Sequence, residues 1–181
     1  MTTTRILGVD PGSRVTGWGV IESSGARVRY IAHDCIRCER GELPARLSRI
    51  FSELATVVQT YQPDETAIEE VFVNRNISSA LILGQARGAA ICALANTGLS
   101  VAEYAPAQIK SAIVGNGRAE KLQVQHMVKV LLNLRETVAA DAADALAIAL
   151  CHAHVRTTVA RTGEALRGAW GRAVEKLGKS A

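Results

Sequence analysis

Several things are scarce in this 181-residue chain. Charges break its apolar stretches before they reach the ~20 residues that a helix needs to cross a bilayer, which argues against a membrane protein. The first residues, Met1-Thr2-Thr3-Thr4-Arg5, run straight into a strand-like pattern rather than a leader, so a cytoplasmic protein is expected. Only four cysteines are present, which fits buried small hydrophobes better than a disulfide framework. There is no internal repeat and no low-complexity tract. Charge of one sign is also scarce outside the end of the chain. The net charge is +4, and residues 156–181 supply all of it through Arg156, Arg161, Arg167, Arg172, Lys176 and Lys179 against Glu164 and Glu175. A neutral body means that affinity for a polyanion has to come from local clustering rather than from overall charge.

A content of 48% apolar and 21% charged residues fits one compact domain with a substantial core. Residues 5–10 read as a buried strand stopped by Pro11-Gly12, residues 16–21 as its hairpin partner and residues 27–37 as a third strand. Leu47, Ile50, Phe51, Leu54, Val57, Val58 and Tyr61 repeat at helical spacing after Pro44. A fourth strand is expected at 65–73, a helix at 76–95, a short fifth strand at 100–104, and helices from Pro106, at 119–132 and at 139–155. Three hairpin-connected strands, then helix and strand in alternation, give an α/β fold with a mixed five-stranded sheet flanked by helices. The domain is expected over 1–156, with 157–181 a basic, mobile tail.

Acidic residues fall at informative places in this order. Asp10 ends the first strand beside Ile6, Leu7 and Val9, where an uncompensated carboxylate is costly. Glu69 and Glu70 come late in the fourth strand, and alternation lets only one of them face a given side. Asp141 and Asp144 are three apart on a small, apolar helix, hence on one face. Each has an ordinary alternative: a turn cap for Asp10, surface charge for the glutamates, helix capping for the two aspartates. Carboxylates brought together repel and shift their pKa values upward. A divalent cation removes that conflict, and Mg²⁺ prefers such hard oxygen ligands while keeping waters for a phosphodiester.

Five stretches in order carry a resemblance: Gly8-Val9-Asp10-Pro11-Gly12-Ser13-Arg14-Val15-Thr16-Gly17, Ala67-Ile68-Glu69-Glu70-Val71-Phe72, Leu83-Gly84-Gln85-Ala86-Arg87-Gly88, Ala119-Glu120-Lys121 and Asp141-Ala142-Ala143-Asp144-Ala145-Leu146-Ala147. Together they are similar to the bacterial RuvC family of Holliday junction resolvases over residues 5–155. The resemblance implies a ribonuclease H-like fold and a homodimer. It also implies paired, symmetric, Mg²⁺-dependent nicks in four-way junction DNA that leave ligatable ends, serving DNA recombination and repair. Asp10, Glu69, Asp141 and Asp144 match the family's metal-binding catalytic acids, with two Mg²⁺ per site and Mn²⁺ as a substitute. Some relatives carry His where this chain has Asp144. A preference for thymine-containing contexts and cooperation with a branch-migration helicase complex are implied too.

Lys110 and Lys121 match positions that contact the DNA backbone near the scissile phosphate. Phe72 matches a residue that stacks on an unpaired base, and Arg75 and Asn76 continue its loop toward phosphates. Gly84 and Gly88, in a stripe with Ala80 and Cys92, would seat their helix on the sheet or against a twofold mate. Cys35-x-x-Cys38 lacks a second pair for zinc, and the ligand atoms of Cys151-His152-x-His154 do not converge on a helix. If the four acids share a desolvated pocket, Asp144→Asn, or else Asp141→Asn, is expected to stabilise the fold in the absence of metal.

Two competing readings have less support. Actin-like and sugar-kinase ATPases use a similar Asp-x-Gly turn but need two large domains. A non-enzymatic junction-binding protein using the basic tail gives no account of the four acids.

Overall fold

The computed structural model describes residues 3–38, 40–71 and 77–162, the side chains of the last two residues excepted. Its elements are β1 (Thr4–Asp10), β2 (Val15–Ser24), β3 (Arg27–Arg37), α1 (Leu43–Tyr61), β4 (Glu65–Glu69), α2 (Ile77–Ala95), β5 (Val101–Tyr104), α3 (Pro106–Val114), α4 (Lys121–Leu131) and α5 (Ala140–Thr162). They form one mixed sheet in the order β3-β2-β1-β4-β5. The hairpin strands β1, β2 and β3 pair antiparallel, while β1, β4 and β5 run parallel. This is the ribonuclease H-like arrangement that the motifs imply. All three parallel strands end at the same edge, the usual place for a ligand site in such sheets.

Alternation along β1 sorts its residues between two cores. Leu7 and Val9 join Trp18, Ile36, Ile50, Leu54 and Ile68 on the α1–α2 side. Ile6 joins Ile21, Ala67, Val124, Val128, Leu146 and Leu150 on the side covered by α3, α4 and α5. Asp10 therefore faces the α5 side, as do Ile6 and Gly8. By the same parity Glu69 follows Ala67 onto that side, and Glu70 is excluded from it.

Glycine decides how closely α5 approaches. A Cβ on Gly8 would run into the carbonyl oxygen of Ala145 and lie 2.6 Å from the Ala149 nitrogen; one on Gly17 would strike the Asp141 carbonyl. Gly17 is the register partner of Asp10 and Gly19 that of Gly8. The sheet thus offers a bare backbone strip on which an alanine-rich helix lies flush, bringing the start of α5 to the end of β1.

Four expectations need correction. Strand β4 stops at Glu69, so that Glu70 and Val71 of the expected 65–73 span lie outside it, although the Glu70 N–H still donates to the Tyr104 carbonyl at 2.8 Å. Helix α5 continues to Thr162, past the helix end expected at 155, with the Thr157 and Thr158 hydroxyls bonding back to the Ala153 and His154 carbonyls. Gly84 and Gly88 do not seat α2 on the sheet, since nothing among the described residues comes within 4 Å of a Cβ built there. Finally, α2 carries Arg87 as its single charge and is, by length and composition alone, apolar enough to cross a bilayer. In the fold its Ala86, Ala90, Ala93 and Leu94 pack into the α1-side core, and Ile77 and Leu81 are left 73% and 64% exposed.

Candidate active site

The turn between β1 and β2 fixes the position of Asp10. The Thr16 hydroxyl donates to the Gly12 carbonyl at 3.0 Å and accepts from the Gly12 N–H at 3.3 Å, closing the Pro11-Gly12 turn. The Cys38 N–H donates to the Arg14 carbonyl at 2.7 Å, and the Arg46 guanidinium donates to that of Ser13. The turn is thus capped by Thr16, which removes the ordinary explanation of Asp10. Among the described residues its carboxyl has no hydrogen-bond donor, and it is pushed up from 3.8 to about 7, first by burial and then by Glu69, Asp144 and Asp141, with Lys121 opposing.

Glu69 stands beside Asp10 because β1 and β4 are parallel with Val9 level with Ile68. The next residues, Asp10 and Glu69, end neighbouring strands ~5 Å apart on one face. Burial and the nearby Asp144 raise the Glu69 pKa, and Lys121 and Lys110 lower it. Across the groove, Asp141 lies in the first turn of α5, where the helix dipole also favours it. Asp144, one turn on, ion-pairs with Lys121, Nζ to Oδ2 2.5 Å, and accepts from Gln125 Nε2 at 3.3 Å. That pair raises the Lys121 pKa, so this side chain is an ammonium throughout the neutral range.

Two of the acids, Glu69 and Asp144, meet Lys110 and Lys121 in a cleft of about 210 Å³ over a floor of Ile109, Val124, Ala147 and Ile148; Asp10 and Asp141 are not part of its lining. A larger cavity of about 340 Å³, lined by Val114, Ala119, Gln123, His126 and Met127, contains no acid. The four carboxylates act on one another electrostatically, but among the described residues no three acidic, histidine or cysteine side chains close to the spacing of a ligand cage. The donor set suits a hard divalent cation: carboxylate oxygens, with that of Asp10 made more basic first by burial and then by its acidic neighbours.

Phe72, Arg75 and Asn76 lie outside the described residues, as does the chain from 163 onward. Sequence reasoning missed Gln125, whose link to Asp144 spans two helices and leaves no local signal. The glycines at 8, 17 and 19 were also missed, although their period-two spacing was visible. Cys35 faces Asp141, while Cys38 is buried in the opposite core, so the Cys-x-x-Cys pair points into two layers. Cys151 is buried, His152 turns to Glu65 and exposed His154 turns to the Ala112 carbonyl, so these three do not converge.

Residues 6–152 match the family model described as crossover junction endodeoxyribonuclease RuvC. The chain belongs to the RuvC family. RuvC of Shewanella frigidimarina (strain NCIMB 400) is 54% identical to it over 92% of this chain and 97% of that protein. RuvC of Shewanella piezotolerans (strain WP3 / JCM 13877) is 56% identical over 87% of this chain and 91% of that protein. Among solved structures, T. thermophilus RuvC in complex with a Holliday junction substrate superposes with a TM-score of 0.81 at 34% identity, over 86% of this chain and 96% of that one. Membership of this nuclease family implies a divalent metal requirement.

Proposed function

We propose that this RuvC-family chain resolves Holliday junctions by hydrolysing one phosphodiester in each of two equivalent strands, serving recombination and repair in the cytoplasm. The observation that carries the reading is the desolvated carboxyl of Asp10, raised to about 7, with no hydrogen-bond donor among the described residues and with Glu69, Asp144 and Asp141 acting on it. Those four side chains would hold Mg²⁺, two ions per site by resemblance, with Mn²⁺ as a substitute. Bound there, the metal supplies Lewis-acid activation of the attacking water and charge stabilisation at the leaving 3′ oxygen.

The chain's own residues do the rest. The apolar floor of the cleft keeps bulk water from the acids and strengthens every charge interaction there. Lys121 and Lys110 place ammonium groups at its mouth, where they draw in the phosphate and offset its charge. Lys121 pairs with Asp144 until a phosphate competes for it. Phe72, Arg75 and Asn76 would contact the junction from the segment after β4.

A twofold partner would supply the second active site. The outer face of α2 carries Ile77, Leu81, Gly84 and Cys92, all exposed, on an apolar helix that uses another face for the core. Small residues at its centre permit close helix approach, and an isologous pairing through it presents two sites to a twofold substrate. Cooperation with a branch-migration helicase complex rests on resemblance alone. The test is a gel assay of synthetic four-way and linear duplex DNA. Paired nicks at the junction with Mg²⁺, none with EDTA and none on the duplex are expected. Junction binding without cleavage under every metal condition would favour the non-enzymatic alternative.

A further inference from the structure

Helix α5 is tied to β4 by a group of polar side chains that the proposed chemistry does not use. The His152 ring bonds Glu65 through Nε2 at 2.8 Å and Tyr104 Oη through Nδ1 at 2.7 Å. Arg156 Nε donates to the other Glu65 oxygen at 2.7 Å. Tyr104 is buried and His152 nearly so, with 13% of its side chain exposed. The carboxylate of Glu65 accepts from Nε2–H, which leaves Nδ1 to accept from the Tyr104 hydroxyl. Hydrogen bonds to His152 and Arg156 hold the Glu65 carboxyl below its usual range.

The position of this cluster matters more than its strength. Asp144, Ile148, His152 and Arg156 succeed one another at i, i+4 along a single side of α5. Glu69 and Glu65 lie at the two ends of β4, on the face that α5 covers. Eight helical residues from Asp144 to His152 rise about 12 Å, and four strand residues from Glu69 back to Glu65 span about 13 Å. The two elements therefore match end to end. At one end they attract, through His152 and Arg156 on Glu65. At the other they repel, through Asp144 on Glu69. Tyr104 ties in the third strand, because it is the register partner of Glu69 on β5.

We propose that the cluster of Glu65, His152, Arg156 and Tyr104 fixes the register of α5 against β4 and so holds Asp141 and Asp144 opposite Asp10 and Glu69 for metal binding. His152 is then a positioning residue. Without its anchor, the repelling end of α5 relaxes away from the strand, and the metal site loosens before the fold fails. This inference rests on the metal-site reading above.

The test uses the full chain and Mn²⁺ or Mg²⁺ as the titrant. Wild type, His152→Ala, Glu65→Gln and the milder Tyr104→Phe are compared by calorimetric metal titration, by the Mg²⁺ concentration giving half-maximal junction cleavage, and by junction affinity in EDTA. Leu54→Ala, in the opposite core, serves as a control for general loss of stability, and Asp10→Asn as a control for the site. The expected result is metal affinity about tenfold weaker in His152→Ala and Glu65→Gln, in the range known for residues supporting metal ligands. The half-saturating Mg²⁺ should rise by the same factor, with cleavage at saturating Mg²⁺ largely restored and junction affinity unchanged. Tyr104→Phe should move in the same direction by less. Wild-type metal affinity in the anchor variants, or an equal loss in Leu54→Ala at matched melting temperature, overturns the positioning role. If Asp10→Asn binds metal as well as wild type, the metal-site reading itself fails, and this inference with it.

Discussion

Asp10→Asn should stabilise the protein in EDTA, and the size of the gain should depend on pH. A folded-state pKa raised from 3.8 to about 7 means that the folded chain holds this proton more tightly than the unfolded chain. The charged form at alkaline pH is therefore a burden on the fold, worth up to about 4 kcal/mol at ~1.4 kcal/mol per pKa unit. Relaxation of the neighbouring acids and imperfect solvation of the Asn amide reduce the expected gain to about 2 kcal/mol, or roughly 4–8 °C in melting temperature for a domain of this size. Above pH 7 the full difference between variant and wild type should appear. Between pH 7 and about 4 the wild type progressively takes up its proton on folding, so the difference shrinks toward zero. Millimolar Mg²⁺ should reverse the order, because an ion that binds the folded wild type stabilises it by mass action. Thermal melts of both proteins at pH 5 and pH 8, with EDTA and with Mg²⁺, read all of this directly. A variant that melts no higher than wild type in EDTA at pH 8, or a gain equal at both pH values, would refute the reasoning.

Asp144→Asn should not share that gain, contrary to the expectation drawn from sequence. Its carboxylate already has Lys121 and Gln125, so loss of a largely exposed ion pair offsets the relief of repulsion, leaving a change within about 1 kcal/mol in the same melts. Gly17→Ala should destabilise by about 1–3 kcal/mol or prevent folding, because the added methyl meets the backbone of α5 at Asp141; circular dichroism melts measure it. Leu81→Glu, on the exposed face of α2, should leave the monomer's secondary structure intact while shifting sedimentation from dimer to monomer. Lys121→Ala should slow cleavage at saturating junction by about a hundredfold, with the metal affinity measured by calorimetry preserved.

The sequence was informative wherever a local period coincided with one surface. Alternation along β4 showed that only one of Glu69 and Glu70 could face the site, and three-residue spacing put Asp141 and Asp144 on one face. The parts that were not legible depended on contacts between distant segments. Residues 65–73 looked like one strand because Val71, Phe72 and Val73 continue its apolar character, yet the strand ends at Glu69, with Glu70 and Val71 outside it. Helix α5 outruns its apolar stretch because Arg156 reaches a carboxylate 91 residues away and threonines bond back along the helix. The stripe at Gly84 and Gly88 looked like the tight contact, but the tight contact is made by Gly8 and Gly17, hidden within strands. Lys121 next to Asp144 could not be foreseen from spacing, since α4 and α5 are separate helices whose approach is set by the core beneath them.

In the proposed function, four carboxylates at the ends of β1 and β4 and at the start of α5 act together through a divalent ion. The most direct test is single-turnover cleavage of a synthetic four-way junction by wild type and by Asp10→Asn, Glu69→Gln, Asp141→Asn and Asp144→Asn, with junction affinity measured in parallel. Each variant should bind the junction as wild type does, and cleavage should fall about a thousandfold or more, several kcal/mol of transition-state stabilisation, for Asp10→Asn and Glu69→Gln. Cleavage by Asp10→Asn or Glu69→Gln at the wild-type rate, under the same Mg²⁺, would contradict the account.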